Sequence, residues 1–145
     1  ASDRIAGWLA EGKCVIADRY VYSNVAYQCA KIADPQEREQ LRRWILETEY
    51  THNGIIRPDK SLFLDVPFAF TKRKLEEART GEERGYLNGK QDIHEASLTL
   101  QERVREVYLD QARRDDTFRV IGCGDEAGNM LPAEAIFGRI YNEIF

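Results

Sequence analysis

The sequence predicts an α/β fold: an open parallel sheet flanked by helices on both faces, three layers in all. Three observations carry this. The runs Cys14-Val15-Ile16-Ala17, Leu62-Phe63-Leu64-Asp65-Val66 and Phe118-Arg119-Val120-Ile121 are short and rich in β-branched and aromatic residues. Each is nearly continuous in its apolar character, the pattern of strands covered on both faces. Amphipathic helical patterns separate and follow them. Strands alternating with helices require right-handed crossovers and therefore a parallel sheet.

The elements follow in order. After the first run, Ser23 is a natural N-cap for a helix through about Ala33. Asp34-Pro35 starts the next helix, with Asp34 as cap, Pro35 in the first turn and Glu37 at the third helical position. Leu41, Trp44, Ile45 and Thr48 continue it at helical spacing, and the charged stretch Glu37 to Arg43 reads as its solvated face. A helix from about Leu98 to Ala112 sets Leu100, Val104, Val107 and Tyr108 on one stripe. The last helix, after Pro132, aligns Ala133, Ile136, Phe137, Ile140 and Ile144. Trp8 and Trp44 read as core or subunit-contact residues.

Two loops stand apart. Residues 79–92 combine Gly81, Gly85 and Gly89 with Arg79, Arg84 and Lys90, the composition of a closing lid. The other loop is Gly122-Cys-Gly-Asp-Glu-Ala-Gly-Asn129, which reads as a turn.

The 145 residues have room for one domain, and 43% hydrophobic with 32% charged residues is the balance of a globular chain. A net charge of −4 leaves no cationic excess for a nucleic-acid interface. No apolar run approaches the ~18 residues of a membrane span, and the opening residues do not read as a signal peptide. Cys14, Cys29 and Cys123 have neither metal nor disulfide spacing and read as reduced core residues of a cytoplasmic protein. His52 and His94 are too far apart to suggest a local metal pair.

In open α/β sheets, ligands bind beyond the carboxyl ends of the strands. The first run ends straight into Asp18-Arg19-Tyr20-Val21-Tyr22-Ser23-Asn24-Val25-Ala26-Tyr27-Gln28. Asp18 and Arg19 thus emerge at the ligand edge, a carboxylate suited to a metal and a fork of donors suited to phosphate. At about 100° per residue, Ser23, Asn24, Tyr27 and Gln28 gather on one side of the following helix, and Val25, Ala26, Cys29 and Ala30 on the other. The polar side can read a nucleobase and a sugar. An Arg-Asp salt bridge beside a capped helix is the plain alternative for Asp18-Arg19 taken alone. Asp65 also ends a strand, and serves either a metal or the backbone ahead of Pro67.

Asp18-Arg19-Tyr20-x-x-Ser23-Asn24-x-x-Tyr27-Gln28 resembles the signature of thymidylate (dTMP) kinases, members of the P-loop nucleoside-monophosphate kinases. Pro58-Asp59-x-x-x-Phe63-Leu64-Asp65-Val66-Pro67 is similar to the family's next strand. Arg84-Gly-Tyr-Leu-Asn-Gly-Lys-Gln-Asp92-Ile93-His94-Glu95 resembles its lid and the Asp-x-x-Glu behind it. Gln101 to Tyr108 resembles the helix that follows, and Asp3-Arg4 an upstream Asp-Arg pair. Residues 1–145 are accordingly expected to be one thymidylate kinase-like domain, or its C-terminal portion, with a lid at about 79–95.

The resemblance implies Mg²⁺-dependent transfer of the ATP γ-phosphoryl group to dTMP, giving dTDP and ADP on the way to dTTP. Arg19 would bridge the acceptor and transferring phosphates, and Asp18 would organise Mg²⁺ through water. Ser23, Asn24, Tyr27 and Gln28 would contact the thymidine moiety, with Tyr27 placed to exclude a ribose 2′-hydroxyl. Arg79 and Arg84, with Lys90, would close over the phosphates; Glu95, with Asp92, would orient Arg19 or the metal. Homodimers are implied too, and the Gly122–Gly128 turn would lie near the adenine.

The 145 residues depart from the family pattern at one point, for they hold no G-x-x-x-x-G-K-[ST] loop to cradle the ATP phosphates. In the family that loop, and its preceding strand, lie upstream of the region corresponding to Ala1. The expected sheet therefore lacks its N-terminal strand, and these residues are not expected to bind ATP unaided. Two rival readings stand beside the kinase. One is a non-catalytic truncated domain that binds nucleotide or serves assembly; the other is a kinase for another nucleoside or nucleotide.

Overall fold

The computed structural model describes the backbone of residues 2–80 and 90–145, and the side chains of residues 2–74 and 98–145. They form two compact units, Ala1–Asp59 and Lys60–Phe145.

The first unit is helical. Helix α1 (Ser2–Ala10) carries Arg4 over the Trp8 ring and buries no residue of its own. It stops where Gly12 takes φ +76°, a left-handed geometry that costs glycine little; the Gly12 and Lys13 amides then reach back to the Leu9 and Trp8 carbonyls. Helix α2 (Val21–Cys29) and helix α3 (Pro35–Glu47) pack together and build the core. Val21, Tyr22, Val25, Ala26, Cys29 and Ala30 are buried with Ile45 and Tyr50. The Asp34 carboxylate accepts from the Gln36 and Glu37 amides, both at 2.9 Å, so the predicted cap of α3 forms. Arg38 ties the α2–α3 connection by donating to the Ile32 and Ala33 carbonyls. One wide helical turn, Thr48–His52, follows α3 and closes with the Asn53 amide on the Thr48 carbonyl at 2.8 Å.

Two expectations for this unit need correction. Cys14–Ala17 is not a strand: Ile16 is 84% exposed, and Cys14 is exposed instead of lying in the core. A strand needs ladder hydrogen bonds from a neighbour, and among the described residues of this unit no strand supplies them. Of the two readings of Trp44, core or subunit contact, the core one is excluded: it is 63% exposed, because Ile45 takes the inward position on α3.

The second unit carries the sheet. Strand β1 (Ser61–Asp65) pairs in parallel with strand β2 (Phe118–Gly122), Phe63 opposite Val120 and Asp65 opposite Gly122. Helix α4 (Phe68–Thr80) and helix α5 (Lys90–Arg114) lie between the strands in sequence, and helix α6 (Ala133–Ile144) follows β2. Alternation along the strands gives α5 and α6 opposite sheet faces. Phe63 stacks on Tyr108 of α5 at 4.5 Å between centroids, and Phe118 meets the same ring at 6.2 Å. On the opposite face Leu62 and Ile121 pack with Ile136 and Ile140 of α6. Helix, sheet and helix thus form three layers, and the chain is an α/β protein.

The α5 stripe is as predicted for Val104 and Val107, both buried, and it also buries Gln111. On α6, Ile136 is inward but Phe137 is 65% exposed. The turn after β2 forms through a Gly124–Met130 bridge, and Gly124 is required there: a Cβ would stand 2.7 Å from the Pro67 ring.

Candidate functional site

Asp18 and Arg19 are exposed on the segment that enters α2. Arg19 has φ +63° and is, among the described residues, the one non-glycine residue with positive φ. Such backbone is strained for an L side chain and persists where its surroundings hold it. The hold comes from the next residue. Tyr20 donates its hydroxyl to the Ile56 carbonyl at 3.0 Å, and its own carbonyl accepts from the Ser23 amide at 3.0 Å. Burial, and after it the Glu49 carboxylate, raises the Tyr20 phenol above its ordinary pKa, which keeps the donor protonated.

This turn starts α2 earlier than expected. Tyr20, in extended geometry, occupies the N-cap position, so Ser23 lies inside the first helical turn and caps nothing. The helix also ends at Cys29, short of Ala33. The division of faces nevertheless matches the sequence. Val25, Ala26, Cys29 and Ala30 are buried, Ser23 and Tyr27 are half-buried, and Asn24 and Gln28 are exposed. Ser23 and Tyr27 stand one turn apart on the same face. The Arg19 guanidinium carbon lies 5.4 Å from the Tyr27 ring centroid, within cation–π range. The structure thus brings Arg19, Ser23 and Tyr27 together along one side of α2, with Asn24 beside them. Gln28 accepts from the Lys31 ammonium at 3.3 Å.

Such an arrangement can hold an anion and a ring system at once. A guanidinium presents five donors in a planar fork, and the neighbouring hydroxyl and amide groups both donate and accept. Among the described residues no group of three or more His, Cys, Asp or Glu is assembled to hold a metal ion. Asp18 offers a single exposed carboxylate, which fits a magnesium ion that keeps most of its waters and takes phosphate as its other ligand. Arg84 lies outside the described residues, and the side chains of Arg79, Lys90, Asp92, His94 and Glu95 do as well. The lid expectation falls on that stretch.

In the second unit Asp65 has a different partner from either one expected. Its carboxylate accepts two hydrogen bonds from Arg105 of α5, at 2.6 and 2.8 Å. Both oxygens are therefore turned to a guanidinium, not to the backbone ahead of Pro67 or to a metal. Arg105 is the residue the sequence reading missed. A signal was present, since Phe63 and Asp65 share a strand face and Arg105 and Tyr108 share a helix face, so one packed pair implies the other.

A family model described as thymidylate kinase matches residues 1–128. A probable thymidylate kinase of Thermococcus gammatolerans is 32% identical over 117 residues, 79% of this chain and 46% of the relative. A thymidylate kinase of Bifidobacterium longum is 30% identical over 138 residues, covering 94% and 55% respectively. One from Desulforudis audaxviator is 28% identical over 133 residues, covering 91% and 52%. The chain spans about half the length of the curated relatives it matches. No solved structure matches. With the family model covering most of its residues, and the signature segment folded as the entry to a two-faced helix, this chain belongs to the thymidylate kinase family.

Proposed function

We propose that the protein is an ATP- and Mg²⁺-dependent dTMP kinase that produces dTDP and ADP, and that residues 18–28 supply its acceptor-side contacts. The observation that carries this reading is the Arg19 guanidinium lying against the polar face of α2 that bears Ser23 and Tyr27. Phosphoryl transfer asks a protein for positioning and charge neutralisation more than for covalent chemistry. Arg19 supplies the cation and fork for the acceptor phosphate, and the half-buried Ser23 and Tyr27 with exposed Asn24 and Gln28 supply the groups for thymine and deoxyribose.

Asp18 would hold a magnesium ion through water, and the ion would supply neutralisation of the phosphate charge. Arg79 and Arg84 add lid cations, with Glu95 orienting the charged groups. The 145 residues, read as one thymidylate kinase-like domain, carry no G-x-x-x-x-G-K-[ST] sequence, so the donor-phosphate cradle is not drawn from them. A homodimer in the cytoplasm completes the proposal; among the described residues no helix is long and apolar enough to cross a membrane.

Calorimetric titration tests the acceptor assignment. The protein expressed from its full reading frame should bind dTMP more tightly than its ribose analogue, and Tyr27→Phe should narrow that preference. Equal affinity for the two nucleotides in the unmodified protein would remove this face from the sugar site.

A further inference from the structure

Among the described residues Arg19 is held in place without an ion pair. Among the described residues its guanidinium has no carboxylate partner, and what it meets is the face of the Tyr27 ring at 5.4 Å. Had a carboxylate held it, the N–H fork would be occupied and the positive charge offset. A ring face does neither, because it attracts the cation through its quadrupole and leaves the in-plane donors open.

The backbone at Arg19 is fixed as well. Its φ of +63° is clamped by Tyr20, whose hydroxyl is tied to Ile56 and whose carbonyl is tied to the Ser23 amide. Tyr27 belongs to a helix whose opposite face is buried, so its half-buried ring has a fixed base. A strained main chain at one end and an aromatic platform at the other define where the guanidinium rests.

We propose that the Tyr27 ring is the positioning surface for Arg19, holding its guanidinium over the nucleotide-binding face of α2 with donors that no described carboxylate occupies. This rests on the reading of residues 18–28 as the acceptor site, and gives the Tyr27 ring a task separate from any contact its hydroxyl makes with a sugar. Tyr27 is a positioning residue in this role, acting through Arg19.

Two substitutions in the full-reading-frame protein separate ring from hydroxyl: Tyr27→Phe keeps the ring and Tyr27→Leu removes it, with Tyr27→Met as a second ring-free variant should leucine not fold. The Arg19 side-chain Nε–Hε resonance, assigned by its disappearance in Arg19→Lys, should show the same ring-current shift in the unmodified protein and the Phe variant and lose it in the Leu variant. With dTMP and ATP saturating, kcat should be about two- to fivefold lower for Leu than for Phe, the factor expected of one exposed cation–π contact. An Arg19 resonance that does not move on loss of the ring, or equal kcat for Phe and Leu, would overturn the proposal. Unmodified turnover in Arg19→Ala would instead overturn the acceptor-site reading, and the resonance would still report whether the ring holds the guanidinium.

Discussion

Asp65, at the carboxyl end of β1, is gripped by Arg105 of α5 through two hydrogen bonds, Nε to Oδ1 at 2.6 Å and Nη2 to Oδ2 at 2.8 Å. The Asp65 hydrogen bond raises the Arg105 pKa, which holds the guanidinium protonated. Together with the Phe63–Tyr108 stack it fixes α5 against one face of the sheet. Arg105 is nearly half exposed, so solvent screens the pair and its worth is set by geometry more than by Coulomb attraction. Arg105→Met leaves the less exposed carboxylate without its fork, and should cost about 1 kcal/mol, or roughly 4 °C in Tm. A double-mutant cycle with Asp65→Asn should recover a coupling of about the same size. Additive effects of the two substitutions would refute the pairing.

The Asp34 cap gives a second test. Its carboxylate serves two amides at the start of α3, which packs on α2 and so supports the face that bears Tyr27. Asp34→Ala should lower stability by about 1 kcal/mol in denaturant unfolding, while Asp34→Ser should lose much less. Equal losses would show that the cap contributes little.

The three thiols should behave differently. Burial raises the Cys29 and Cys123 pKa values, with Asp65 adding to the rise at Cys123, whereas Cys14 is exposed. A thiol reagent at neutral pH should therefore modify one group quickly and two only upon unfolding. The sign of the pH effect follows. The folded state favours the neutral thiols, so their contribution to stability is full below the ordinary thiol value of 9.0 and declines as pH rises past it. Three fast-reacting thiols in the folded protein would contradict this burial.

The donor side makes a fourth. With no phosphate-loop sequence among them, residues 1–145 expressed on their own should show no ATP-dependent phosphorylation of dTMP. Robust turnover would mean that another backbone cradle serves the ATP phosphates.

How much of this was legible in the sequence depends on the range of the interaction. Local devices could be read directly: the Asp34 cap, the buried stripe of Val104 and Val107, and the two faces of α2 all follow from spacing along one element. Tertiary ones were harder. Cys14–Ala17 has the composition of a strand, but a strand is completed by a partner, and composition carries no information about whether one lies alongside. Ser23 looked like a cap because serine favours that position; the left-handed turn at Arg19, anchored through Tyr20 to a carbonyl 36 residues away, moved the helix start instead. The Asp65–Arg105 and Arg19–Tyr27 relationships join residues whose significance appears only once a strand meets a helix or a strained turn aims a side chain.

The central claim is that Arg19 is the cation for the acceptor phosphate. The most direct measurement is steady-state conversion of dTMP to dTDP, with ATP and Mg²⁺, by the full-reading-frame protein and its Arg19→Ala variant, with circular dichroism and Tm confirming the fold. Removing one charge-stabilising group at a phosphoryl-transfer site costs about 10²–10³ in kcat, and a loss of that size with an unchanged Tm is the result expected. Turnover within a few fold of the unmodified protein would contradict the assignment.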